Sequence, residues 1–93
     1  MTDSHGEGRR REALIAEQLR GQGWIVWQPP RTKFRAQDIF GVGDLLAFRS
    51  GRVMLVQVCD KKSVARHRKA VDAWNDKHGG SLPCLLFVWE AGE

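Results

Sequence analysis

Two apolar runs, "DLLAF" beginning at Asp44 and "RVMLVQVC" beginning at Arg52, flank the dipeptide Ser50-Gly51. Apolar runs on either side of such a turn predict an antiparallel hairpin. Both runs are apolar enough to be interior strands, so the remaining chain has to supply their cover. That requirement limits the choice of fold more than any other feature here.

The flanking segments meet it. Residues from about Glu7 to Gly21 read as a helix, with Ser4 and Glu7 at capping-box spacing. Ala13, Leu14, Ile15, Ala16 and Leu19 supply its apolar face, and Gly21 and Gly23 end it. "GWIVWQPP" is a short strand stopped by Pro29 and Pro30. A basic loop containing Arg31, Lys33, Phe34 and Arg35 leads to the hairpin. Ser63 is placed to cap a second helix running to about His78, with Val64, His67, Val71 and Trp74 on its inner stripe. "PCLLFVWE" is a last strand. The order helix, strand, strand, strand, helix, strand predicts an α/β fold: a mixed central sheet of about four strands flanked by helices. The crossover through the second helix places the final strand parallel in the sheet.

At 93 residues the chain reads as one domain, 1–93, with residues 1–6 frayed at the end. Its four Trp and four Phe add bulk to a small core. A net charge of +4 suits a polyanionic partner without requiring one. No apolar run approaches the roughly 20 residues of a membrane span, and "MTDSHGEGRRRE" has no signal-peptide apolar region. Two cysteines, Cys59 and Cys84, make no disulfide framework. These features predict a cytoplasmic protein with reduced thiols.

The hairpin also carries polar residues in unusual places. Antiparallel pairing about Ser50-Gly51 brings Asp44 opposite the region of Gln57 and Cys59. Gln57, Cys59 and Lys61 alternate onto one side of their strand, opposite Val56 and Val58. On the first helix Glu12 shares a stripe with Ile15, Ala16 and Leu19 and tilts toward the sheet, whereas Glu17 turns away. Asp44, Gln57 and Glu12 are thus expected to converge. Oxygen ligands of this kind suit Mg²⁺, which can orient a water and neutralise charge on a phosphodiester. The plainer reading makes Asp44 a turn former and Gln57 an ordinary hydrogen-bonded amide.

"EGRRREALIAEQLRGQGWIVW", "DIFGVGDLLAF" and "RVMLVQVCDKK" followed by a helix resemble the restriction-endonuclease-like (PD-(D/E)XK) nuclease superfamily. Within it the arrangement is similar to archaeal and phage-type Holliday junction resolvases and to VRR-NUC nucleases, over about Gly8 to Trp89. The resemblance implies a metal-dependent endonuclease, using Mg²⁺ or Mn²⁺, that acts on branched or structured DNA as a homodimer in a bacterial, archaeal or phage-infected cell. It assigns Glu12 to the helix acid, Asp44 to the strand Asp, Gln57 to the position of a Glu, the Val58 carbonyl to a further ligand, and Asp38 to an additional upstream acid. Cys59 stands where relatives carry a lysine, and Lys61 or Lys62 is the nearest substitute. Gln57 lacks the charge of a Glu and Cys59 lacks an ammonium group. These two departures motivate an alternative reading, a degenerate nuclease fold that binds DNA or a protein partner without cleaving. A protein-binding scaffold of inhibitor type is a third reading.

Arg31, Lys33 and Arg35 are candidate phosphate contacts, with Phe34 as a wedge or stacking group. Lys62, Arg66 and Lys69, with Arg68, can extend that basic surface, or simply form a solvated helix face. His67 is either a site residue or a partly buried hydrogen-bonded histidine. Cys59, His67 and Cys84 match no standard zinc spacing.

Overall fold

The structure, a computed structural model, describes residues 4–29 and 39–89, with side chains from residue 10 onward. Its elements are α1 (Ser4–Gly21), β1 (Ile25–Trp27), β2 (Leu45–Arg49), β3 (Arg52–Asp60), a 3₁₀ turn (Lys61–Ser63), α2 (Val64–His78) and β4 (Cys84–Trp89). The order is the expected one. The four strands form one mixed sheet in the order β1-β2-β3-β4, with β4 parallel to β3 and the other pairs antiparallel. Among the described residues no helix is long and apolar enough to cross a membrane.

The helix α1 starts at Ser4, before the expected start near Glu7. Its C-terminus is set by Gly23, at φ +95°. There the Trp24 N–H donates to the Leu19 carbonyl and the Gly23 N–H to the Arg20 carbonyl, each at 3.0 Å. This is the paired capping of a Schellman motif, and glycine adopts the left-handed conformation without a Cβ clash. At the β2–β3 hairpin Ser50 (φ 50°) and Gly51 (φ 78°) both have positive φ. That geometry matches the right-handed twist of the flanking strands.

Each face of the sheet packs its own core. Ile15, Ala16 and Leu19 of α1 meet Val26, Leu45, Ala47, Met54, Val56 and Val58. On the other face Val71 and Trp74 of α2 join Val42, Leu55 and Cys84. Leu45, Leu55 and Val56 are fully buried, and truncating such a leucine to alanine costs about 2–5 kcal/mol. Ala13 and Leu14, expected on the apolar face of α1, are exposed. The helical period gives the buried stripe to Glu12, Ile15, Ala16 and Leu19 instead. Asn75 fixes α2 to β4 by a reciprocal pair: its Nδ2 donates to the Cys84 carbonyl at 2.9 Å and its Oδ1 accepts from the Cys84 N–H at 2.8 Å.

Candidate functional site at the open end of the sheet

The strand β3 outruns β2. At this end their last pair is Leu45↔Val56, yet β3 continues beside β4 through Gln57, Val58, Cys59 and Asp60. Asp44 fills the place that β2 vacates. Its N–H donates to the Val56 carbonyl at 2.7 Å, and its Oδ2 accepts from the Val58 N–H at 2.9 Å. A carboxylate therefore stands in for a strand carbonyl, in a charge-assisted bond.

The lead-in to Asp44 is a tight turn. The Ile39 N–H donates to the Gly43 carbonyl at 2.7 Å, and the Gly43 N–H returns to the Ile39 carbonyl at 3.0 Å. A Cβ at Gly43 would lie 2.9 Å from Leu55 Cδ2. A side chain at Gly43 would have to displace Leu55, so glycine lets this turn lie close against β3 beside Asp44.

Glu12 and Gln57, at 8% and 6% exposure, are the buried polar side chains among the described residues, and both lie at this end. Gln57 Nε2 donates to the Val42 carbonyl at 2.5 Å. Glu12 Oε1 accepts from Gln28 Nε2 at 3.5 Å. Gln28 follows β1 directly, one step past the pair Trp27↔Leu46, and so sits beside the start of β2.

Glu12 and Gln57 reach this end from opposite layers. Val56 and Val58 pack in the α1 core and Leu55 in the α2 core, so strand alternation turns Gln57 to the α2 side. Glu12 stays in the α1 layer with its stripe. The expectation of convergence becomes a shared sheet end rather than a shared face, with the Asp44 carboxylate against the β3 backbone. Among the described residues no three His, Cys, Asp or Glu side chains group as a metal-holding cluster.

Cys59 is 2% exposed. Burial pushes its thiol pKa up, the charges of Asp60 and Asp44 push it further, and Arg11 and Arg68 act in the opposite sense. Burial, with Asp44, pushes Cys84 up to about 11. Both positions hold neutral thiols at ordinary pH.

Strand β3 stops at Asp60, so Lys61 does not continue the Gln57–Cys59 alternation. Lys61 and Lys62 are exposed on the 3₁₀ turn. Asp60 caps that turn, its Oδ1 accepting from the Ser63 N–H at 3.0 Å and Oγ at 2.8 Å. Ser63 stands at the N-cap of α2 as expected but makes no side-chain cap bond to it; its hydroxyl donates to Asp60 instead. Asp60 Oδ2 also lies 3.8 Å from Arg11 Nη1. These bonds, the Ser63 hydroxyl first, hold the Asp60 carboxyl below its usual range. The spacing of Asp60 to Ser63 was a readable signal for this cap.

Arg66, Arg68 and Lys69 are exposed on α2, and His67 is half-buried. Arg31, Lys33, Phe34, Arg35 and Asp38 lie outside the described residues. No family model matches the chain, and no curated protein or solved structure matches it either.

Proposed function

We propose that this chain is a metal-dependent DNA endonuclease of resolvase type, hydrolysing phosphodiesters in branched or structured DNA, with a restriction-endonuclease-like fold. The observation that carries the reading is the gathering of polar groups at one sheet end. Glu12 and Gln57 are buried there, and Asp44 is locked to the Val58 N–H. Burying polar groups is costly, so their gathering at one strand end calls for a role.

The donor set fits a hard cation. Asp44 would be the main ligand, with Gln57 Oε1 and the Val58 carbonyl assisting, all oxygen donors of the kind Mg²⁺ or Mn²⁺ prefers; Glu12, expected in the same shell, lies in the opposite layer and does not share it. The ion, when bound, would supply an activated water and charge neutralisation at the phosphate. The chain's own contribution is orientation. The Val58 N–H fixes the Asp44 carboxylate, and the Val42 carbonyl fixes the Gln57 amide nitrogen, leaving its oxygen as the ligating end. The exposed Lys61 and Lys62 are the ammonium groups nearest in sequence for the charged transition state, with Arg66 and Lys69 as phosphate contacts. Two copies of so small a domain would grip a junction better than one.

A second reading, binding without cleavage, is favoured by one observation: the position at which relatives carry a lysine holds a buried neutral thiol, Cys59. Incubating the protein with four-way, flap and linear DNA in Mg²⁺, Mn²⁺ and EDTA separates the two. Cleavage that depends on metal supports the first reading. Salt-sensitive binding with every substrate intact replaces it with the second.

A further inference from the structure

The turn that delivers Asp44 also displays an aromatic ring. Phe40, at its tip, has φ 55°, a left-handed backbone that is uncommon for a residue with a Cβ and that clusters at functional sites. Its side chain is 68% exposed. One face of its ring lies on Trp74, with centroids 5.5 Å apart and planes at 19°. Trp74 is itself fixed: its Nε1 donates to the Leu82 carbonyl at 2.7 Å, and the His78 ring packs on it at 4.4 Å. The Phe40 ring is thus a preset platform backed by a second aromatic.

We propose that Phe40 is a nucleobase-stacking site, taking one unpaired base of single-stranded or junction DNA while the adjoining sheet end addresses the backbone. This deepens the DNA reading above and rests on it. Three features point to a base rather than to another apolar partner. First, a flat, sequence-tolerant stacking surface is what exposed aromatics offer to unpaired bases. Second, charge complements a polyanion: α2, which carries Trp74, displays Arg66, Arg68, Lys69 and Lys77 against Asp72 and Asp76. Lys77 is three positions from Trp74 and adjacent on the helix surface. Third, the platform and Asp44 are tied together: between them the Val42 carbonyl accepts from Gln57 Nε2, and the Gly43 and Ile39 backbones bond to each other.

The test compares binding of a labelled dT 12-mer with an abasic 12-mer of equal length and charge, by fluorescence anisotropy at low salt in EDTA, using the full chain. Wild type should prefer the base-bearing strand by about tenfold. Phe40→Ala should abolish that preference and Phe40→Trp should keep it. Phe40→Leu, which still covers Trp74, should also abolish it, so a fold effect is told apart from stacking. Equal binding of the two strands by wild type, no binding of either, or a preference that survives Phe40→Leu overturns the proposal. Because EDTA removes catalysis, failure of the nuclease reading shows separately, as intact substrate in Mn²⁺ with the base preference retained.

Discussion

The two ends of the β2–β3 pair obey different rules. At the hairpin end the register runs unbroken to Arg49↔Arg52, and both arginines are exposed. At the opposite end β2 stops one residue short of Gln57, and polar groups are taken inside: Gln57 and Glu12 are buried and Asp44 replaces a strand carbonyl. The hairpin end is built for turning the chain, with its charges left in water. The open end carries desolvated polar groups that only fixed partners make tolerable. The contrast teaches where to look for function: at the end where regular pairing is given up.

Four tests put that contrast under strain. The largest effect is expected for Asp44→Asn, which keeps an acceptor for the Val58 N–H and removes the charge. Metal-dependent cleavage should fall at least about 100-fold while the circular dichroism spectrum is unchanged; wild-type activity in this variant would remove Asp44 from the site. Next, Gln57→Leu orphans the Val42 carbonyl, and urea unfolding should show a loss of about 1–3 kcal/mol. Arg52→Ala at the hairpin end should stay within about 0.5 kcal/mol. Equal losses at the two ends would erase the distinction.

A third, smaller effect is expected with pH. The folded state raises the Cys84 thiol from an ordinary 9.0 to about 11. Below pH 9.0 folded and unfolded chains both hold that proton, and stability does not depend on it. Between 9.0 and about 11 the unfolded chain releases the proton first, so stability falls as pH rises. Unfolding curves from pH 8 to about 11 should show this decline, and Cys84→Ala should flatten it relative to wild type. The smallest effect concerns the rim. Asp60 is held below its usual pKa chiefly by the Ser63 hydroxyl, so its contribution is present at neutral pH and lost as pH falls through its folded pKa. Ser63→Ala should move the Asp60 carboxyl resonance midpoint upward in an NMR titration; an unmoved midpoint would show that the Ser63 hydroxyl does not set it.

Local pattern was legible and relative placement was not. The hairpin at Ser50-Gly51, the α1 stripe of Glu12, Ile15, Ala16 and Leu19, and the strand from Cys84 all follow from periodicity and turn chemistry within a few residues. The placing of Asp44 near the Gln57 region was also readable, because a two-residue turn sets the register between its strands. Lys61 was misplaced because Asp60 ends β3, whereas Ser63 was placed correctly at the start of α2 and only its hydroxyl turns elsewhere, to Asp60. The pairing of Phe40 with Trp74 had no local signal, since the residues are far apart in the chain and meet only through packing.

By itself the sequence determined the elements, their order and the hairpin that organises the sheet, because those follow from spacings of two, three and four residues. Only the tertiary structure decided that Glu12 and Gln57 approach one sheet end from opposite layers, that Asp44 closes the gap left by β2, and that Phe40 lies flat on Trp74. Those outcomes depend on how α1 and α2 divide the two faces of the sheet, a contest between whole surfaces that no short stretch of residues encodes.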